Sequence, residues 1–157
     1  MPDIVSPEKR SDMMRGIRGK DTKPEMIIRR GLHREGFRYR LHAPGVPGKP
    51  DLVFSKYHAV IFVHGCFWHG HDCHLFKWPK TRVDFWHAKI RRNRERDLEV
   101  RDALHKTGWR ILTVYECALK GRTRLTEDVV IRRCVMWLRA DSTDAEIAGL
   151  RDQQAAR

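Results

Sequence analysis

The chain has 157 residues, of which 41% are hydrophobic, so it is long enough for one domain with a buried core and too short for a second full domain. Lysine and arginine outnumber aspartate and glutamate by 32 to 20, which gives a net charge of +12. Such a charge favours nucleic acid as the partner over a basic surface kept only for solubility. No apolar run has the length of a signal peptide or a membrane span, so we expect a cytoplasmic protein without a membrane partner.

Hydrophobic periodicity and turn residues divide the chain into helices and strands. In chain order, the sequence predicts a basic helix over 6–18, a helix over 22–36, a half-buried strand over 37–41, strands over 51–54 and 58–65, a helix over 81–106, a strand over 109–117 and a helix over 126–139. Thr22 is the expected N-cap of the second helix, which ends at Gly36. The strands over 51–65 read as a hairpin, and the strongly apolar strand over 109–117 is expected in the centre of the sheet.

The most unusual segment is HGCFWHGHDCH, residues 64–74, which holds two cysteines and four histidines. With one later cysteine, it provides a candidate metal-ligand set: Cys66, His71, Cys73 and Cys117. Three sulfurs and one imidazole make a closed tetrahedral site that suits structural zinc. Because cytoplasmic thiols stay reduced, these cysteines indicate metal rather than disulfides. Cys134 lies on an apolar helix face and is expected in the core.

Three carboxylates allow more than one interpretation. Asp51 opens one hairpin strand while Val63 and His64 end the other, which suits a Mg²⁺ site beside a phosphate, although an Asp there is also typical of a turn. Glu25 stands three residues after the helix N-cap, where it can serve as a capping-box residue. Asp97 falls on the apolar face of the long helix, where either a histidine from the neighbouring loop or a nearby arginine would pair with it.

Four longer motifs carry a family resemblance. They are PGKPDLVF, AVIFVHGCFWHGHDC, FWHAKIRRNRERD and GWRILTVYECAL. Together they resemble the very-short-patch repair endonucleases, the bacterial Vsr family that nicks DNA at T:G mismatches, over about residues 6–138. The resemblance implies an α/β, restriction-endonuclease-like fold, a mixed sheet flanked by helices, with a structural zinc site. In this family a strand-end histidine, here His64, replaces the usual Glu-x-Lys pair.

The resemblance also implies a divalent-cation site. Asp51 would bind Mg²⁺, assisted by the backbone carbonyl oxygen of Val63. Glu25 and His64 would hold the surrounding waters and steady the phosphate. A ligand that acts through its backbone tolerates the valine at position 63, where a threonine is expected.

The remaining implied roles concern proton transfer, zinc and mismatch recognition. His69 would be the acid/base residue acting on the attacking water, and Asp97 would fix its tautomer and orientation. The zinc ligands would be the four residues already named from their spacing, with His74 as a spare candidate because Gly70 stands where the family has another histidine. Three aromatic residues would enter the duplex beside the mismatch: Phe67, Trp68 and Trp86.

The implied reaction is Mg²⁺-dependent hydrolysis of one phosphodiester bond on the 5′ side of a mispaired thymine, such as arises from deaminated 5-methylcytosine. We expect residues 1–20 to form a basic helical segment on the DNA, 21–140 to form the endonuclease domain, and 141–157 to form a loose tail. The protein would act as a nucleoid-associated monomer, with mismatch-repair and repair-synthesis proteins as further partners. The alternatives are a zinc-stabilised DNA-binding protein without catalysis and a general nuclease without mismatch preference.

Overall fold

The computed structural model describes residues 22–151, so the basic helix expected over 6–18 lies outside the described residues. Its helices and strands are α1 (Lys23–Arg34), β1 (Arg40–Leu41), β2 (Leu52–Phe54), β3 (Ala59–His64), α2 (Val83–Lys106), β4 (Arg110–Tyr115), α3 (Glu127–Arg139) and β5 (Ala145–Ile147), with 3₁₀ turns at Ser55–Tyr57 and Glu116–Ala118. No helix within 22–151 has both the length and the apolar character that crossing a bilayer requires.

The five strands form one mixed sheet in the order β1-β2-β3-β4-β5. β1 and β3 both run antiparallel to β2, whereas β4 runs parallel to β3 and to β5. The predicted hairpin is therefore confirmed as β2–β3. The apolar strand predicted over 109–117 is β4, which has a neighbour on each side. A mixed sheet flanked by helices is the restriction-endonuclease-like arrangement that the sequence predicts.

Side chains alternate between two apolar layers, one on each face of the sheet. On one face, Leu52 and Ile61 pack with residues of α1 and α3, including the buried Cys134 expected in the core. On the other face, Val53 and Val60 pack under Leu104 of α2 and under the loop that follows β1. The three central strands, β2, β3 and β4, are largely buried on both faces, which explains why they read as continuous apolar runs.

The start of α1 shows how Glu25 is held. The Thr22 side chain accepts a hydrogen bond from the Glu25 backbone N–H at 3.4 Å, as predicted for the N-cap. The carboxylate of Glu25 forms an ion pair with Arg29 one turn later. The helix gives way to Gly36 at φ +94°, a left-handed conformation that favours glycine.

Two expectations about strands are wrong. The strand expected over 37–41 is limited to Arg40–Leu41, because Phe37 turns into the core beside Phe54 instead of pairing in the sheet. The loose tail expected over 141–157 is wrong for its first part, because Ala145–Ile147 pairs with β4 and Ile147 is only 4% exposed. A single buried isoleucine is enough to hold this strand in the sheet, because the internal strand β4 supplies the hydrogen-bond partners of its backbone.

We predict that Ile147→Ala lowers the free energy of unfolding by about 2–5 kcal/mol, because it removes a buried side chain from the sheet–helix layer. Denaturant unfolding followed by circular dichroism measures this. The matched control is Leu150→Ala, whose side chain lies in the same segment but is 43% exposed, and which should change stability much less. Equal effects of the two substitutions would contradict the assignment of β5 to the core.

Candidate active site and metal centres

The parallel pairing of β3 with β4 places the ends of both strands at one edge of the sheet. Its register pairs His64 with Tyr115, and Cys66 and Cys117 each follow two residues later. The backbone N–H of Cys117 donates a hydrogen bond to the Cys66 sulfur at 3.3 Å. Residues that are far apart in sequence therefore meet at this edge.

The four candidate zinc ligands converge into one set. The ligand atoms of Cys66, His71, Cys73 and Cys117 all lie within 4.8 Å of one another. Both Cys66 and Cys117 are buried, and the Gly149 N–H donates to the Cys117 sulfur at 3.3 Å. Hydrogen bonds to thiolate sulfurs are the usual surroundings of metal-bound cysteines. The set can therefore hold a metal ion, and its three sulfurs and one imidazole fit tetrahedral zinc.

The surroundings of these thiols favour one thiolate in the set. Hydrogen bonds from Cys66, His71 and Gly149 lower the pKa of Cys117 to about 4. Its hydrogen-bonded partner Cys66 has a raised pKa, because Cys117 takes the charge of the pair and burial disfavours a second charge. His74 lies outside the set, since its Nδ1 is 3.2 Å from Thr123 Oγ1.

A second group consists of His64, His69 and Asp97. His69 Nδ1 lies 2.7 Å from Asp97 Oδ2, and because a carboxylate can only accept, Nδ1–H is the donor. The Nε2 atom of His69 then carries a lone pair. The His64 and His69 rings stack in parallel with centroids 3.6 Å apart. Burial, followed by the neighbouring His69, lowers the pKa of His64 to about 3, so that ring is neutral near pH 7.

Three polar side chains of α2 hold the loop between β3 and α2. Asn93 Nδ2 donates to the Trp68 carbonyl oxygen at 2.8 Å, and Arg94 donates to the carbonyl oxygen of Gly70. With the bond between Asp97 and the loop histidine, these contacts explain why polar residues stand on an otherwise apolar helix face. Of the two interpretations of Asp97, the structure contains the histidine pair.

A third group surrounds Asp51. Its Oδ2 accepts a hydrogen bond from the Val63 N–H at 2.7 Å. The ligand atoms of Glu25, His42 and Asp51 lie within 4.8 Å of one another. Burial, with a smaller contribution from the nearby Glu25, raises the pKa of Asp51 to about 8 despite the hydrogen bond from Val63. A buried carboxylate beside a second one is a site for a cation.

The second group, together with His42 and Asp51 of the third, lines one cavity of about 720 Å³. Three basic residues missed by the sequence analysis add positive charge to its wall: Lys49, Arg96 and Arg101. His42 was missed as well, because it stood at the start of a loop rich in proline and glycine. A signal for Arg101 was its position one turn after Asp97 on the same helix face.

The aromatic residues predicted to enter DNA form a cluster beside this cavity. The ring centroid of Phe67 lies 5.2 Å from that of Trp68 and 5.3 Å from that of Trp86. The ring centroids of the two tryptophans are 5.9 Å apart. All three side chains are half-buried and none belongs to the core layers. A groove of about 620 Å³ is lined by Phe67 and Trp68 and shares His64 and His69 with the cavity. The aromatic cluster is therefore continuous with the group of His64, His69 and Asp97.

Comparisons with known proteins show which proteins the chain is similar to. The sequence profile described as DNA mismatch endonuclease Vsr matches residues 2–75. The chain is 42% identical to the DNA mismatch endonuclease Vsr of Escherichia coli over 147 residues, which cover 94% of both chains. It is 48% identical to a type II nicking enzyme of Xanthomonas oryzae over 119 residues, covering 76% of this chain and 88% of the relative. A type II nicking enzyme of Neisseria meningitidis is 47% identical over 122 residues, covering 78% and 87%. The chain therefore belongs to the Vsr family of DNA mismatch endonucleases, as its motifs predicted.

Proposed function

We propose that this protein nicks one strand of duplex DNA on the 5′ side of the thymine in a T:G mismatch, in a Mg²⁺-dependent reaction that leaves 3′-hydroxyl and 5′-phosphate ends. The observation that carries the proposal is the single cavity lined by Asp51 and by the His69–Asp97 pair, next to an aromatic cluster. It offers a cation site, a proton acceptor and a stacking surface in one place.

Proton transfer is assigned to His69. Its Nδ1–H donates to Asp97, which leaves Nε2 as the atom that accepts a proton from the attacking water. The Asp97 carboxylate then stabilises the imidazolium that forms. The stacked ring of His64 limits the rotation of His69. Because His64 is neutral, it contacts the phosphate through a hydrogen bond and not through charge.

The cation is assigned to Asp51, with the Val63 backbone as its neighbour and Glu25 nearby. Mg²⁺ bound there would stabilise the negative charge that develops on the phosphate. Carboxylate oxygens are the ligands that this ion prefers, so the residues fit it. Arg96 and Arg101 supply fixed positive charge on the same cavity wall.

Mismatch recognition is assigned to the aromatic cluster of Phe67, Trp68 and Trp86. Aromatic wedges unstack a base step, which costs least where pairing is already poor. A T:G pair, the product of deaminated 5-methylcytosine, is such a step. The net charge of +12 supports sequence-independent attachment to the duplex, and the basic segment 1–20 is proposed to add to it.

Zinc is proposed as the ion of the Cys66, His71, Cys73 and Cys117 set, with a structural role. The set is closed by four protein ligands, which leaves no position for a substrate. We place the protein in the bacterial cytoplasm as a monomer on nucleoid DNA, upstream of repair synthesis.

The reaction is tested by strand-resolved cleavage of labelled duplexes that carry T:G, T:A or C:G at one position, with and without Mg²⁺. We expect one nick, in the thymine strand of the T:G duplex, only when the cation is present. Cleavage of matched duplexes at a similar rate would favour the general nuclease. Binding without cleavage would favour the non-catalytic alternative.

We predict that Cys117→Ser lowers zinc content and thermal stability together, because the serine hydroxyl is a poor zinc ligand. Elemental analysis and thermal unfolding measure the two effects. Cys134→Ser is the matched control, since Cys134 is a buried thiol outside the set and its loss should leave zinc content unchanged. Folded wild-type protein without zinc would refute this assignment.

We predict that Asp51→Asn abolishes nicking while the affinity for T:G duplex stays within about tenfold, roughly 1.4 kcal/mol, because the cationic and aromatic contacts remain. Without divalent cation its unfolding temperature at neutral pH should equal or exceed that of the wild type, since the Asp51 carboxyl must take up a proton on folding and asparagine does not. Nicking rates, duplex titration and thermal unfolding give the three quantities. Asp102→Asn, at an exposed position on α2, is the control and should nick normally. Near wild-type cleavage by Asp51→Asn would exclude Asp51 from the chemistry.

We predict that Trp68→Ala weakens binding of T:G duplex by roughly 5- to 150-fold, as expected for loss of about 1–3 kcal/mol of stacking, and changes binding of matched duplex much less. Fluorescence anisotropy with both duplexes measures the ratio. Trp137→Ala is the contrasting variant, because Trp137 is buried in the core and should lose stability without changing that ratio. A Trp68→Ala protein that is strongly destabilised, with both affinities reduced in parallel, would make Trp68 a core residue.

A further inference from the structure

His42 stands opposite Asp51 because of the pairing between β1 and β2. Their antiparallel register pairs Arg40 with Val53 and Leu41 with Leu52, so the next pair outward is His42 with Asp51. β1 has only two residues, and both are exposed. The structural effect of this short edge strand is to hold the residue that follows it against the carboxylate.

The imidazole of His42 lies between two carboxylates. Its Nε2 is 3.3 Å from Glu25 Oε2, and its Nδ1 is 3.7 Å from Asp51 Oδ1. The side chain is 23% exposed and lines the cavity that contains the acid/base group. Its backbone has φ +46°, a left-handed conformation that is uncommon for non-glycine residues and is found at functional sites.

The distances distinguish the two tautomers of His42. If Nδ1 carried the proton, it would face Asp51 at 3.7 Å, which is too long for a hydrogen bond. If Nε2 carries it, the proton goes to the Glu25 carboxylate and Nδ1 presents a lone pair toward Asp51. Nε2 also lies 3.2 Å from Arg29 Nη2, and a guanidinium can only donate, so in the cation-free protein Nε2 accepts that hydrogen bond and Nδ1 carries the proton. A cation bound at Nδ1 would displace this proton to Nε2, which would then donate to the Glu25 carboxylate.

Nδ1 lies close to where a ligand of a cation bound by Asp51 would be. Two atoms bound to one octahedral ion at about 2.1 Å are roughly 3.0 Å apart when adjacent and roughly 4.2 Å apart when opposite. The separation of 3.7 Å between Nδ1 and Asp51 Oδ1 lies between these two values, so a small shift of either atom would let both bind one ion. The other oxygen of Asp51 is already bonded to the Val63 N–H, so Oδ1 is the one directed at His42. A carboxylate that accepts from the second ring nitrogen completes the usual arrangement around a metal-bound histidine.

We propose that His42 is a direct ligand, through Nδ1, of the divalent cation bound by Asp51, with Glu25 orienting the ring. This rests on the proposed function, which places a cation at Asp51. The consequence is a mixed nitrogen–oxygen site. Imidazole binds Mn²⁺ and later transition metals better than it binds Mg²⁺, so this site has a stronger preference for Mn²⁺ over Mg²⁺ than a site made of oxygen alone.

The test uses Mn²⁺ as a paramagnetic probe on the full chain with its sulfur-site metal retained. Electron paramagnetic resonance measures Mn²⁺ affinity, and electron spin echo modulation detects a directly bound imidazole nitrogen. The variants are His42→Gln, Asp51→Asn and His33→Gln, in which His33 is an exposed α1 histidine that does not line the cavity.

We expect the wild type and His33→Gln to bind Mn²⁺ with nitrogen modulation. His42→Gln should lose that modulation and bind Mn²⁺ at least about tenfold more weakly, with a smaller change for Mg²⁺ measured by competition. Unchanged affinity or persistent nitrogen modulation in His42→Gln would overturn the assignment of His42 while leaving the cation at Asp51. Unchanged Mn²⁺ affinity in Asp51→Asn would instead remove the cation from Asp51, and with it this part of the proposed function.

Discussion

The parallel register of β3 and β4 is the constraint on which the site depends. Because His64 pairs with Tyr115, the two chain segments leave the sheet side by side, and two cysteines meet two residues later. This meeting closes the four-ligand set. The segment after β3 also places His69 against Asp97 of α2, and the Trp68 carbonyl oxygen against Asn93 of the same helix. A shift of register by one residue would separate the sulfurs and turn every β4 side chain to the other face of the sheet.

The cavity holds charges in an arrangement that costs the fold stability. Burial raises the pKa of Asp51 to about 8, above its ordinary value of 3.8. The stability of the cation-free protein therefore falls as pH rises from 3.8 to about 8, since the ionised carboxylate is disfavoured in the folded state. The proposed cation would offset this cost. The surroundings of Asp51 therefore suit the binding of a positive charge better than the stability of the cation-free fold.

Much of this could be predicted from the sequence, and the failures have physical causes. Helix ends with caps, such as Thr22 and Gly36, were predictable because the signals are local. Spacing named the four sulfur and nitrogen ligands, but only the resemblance assigned Asp51 a role above that of a turn residue. The role of His42 and the strand β5 were not predicted. Each depends on pairing with a strand that is distant in sequence, and no local sequence pattern indicates that pairing. The low aliphatic content near Ile147 did not predict a strand there, because a short strand can be stabilised by pairing with an internal strand.

The contact between Gly149 and Cys117 links the end of the described chain to the ligand set. A side chain at position 149 would come within 2.4 Å of the Cys117 carbonyl oxygen, so the backbone passes this close only as glycine. The hydrogen-bond donor follows its sulfur acceptor by 32 residues. During synthesis, that distance corresponds to roughly 2–6 s of translation. All four candidate ligand side chains are therefore synthesised before Gly149, whose N–H donates to the Cys117 sulfur. During that interval the Cys117 thiol of the nascent chain lacks this hydrogen-bond donor.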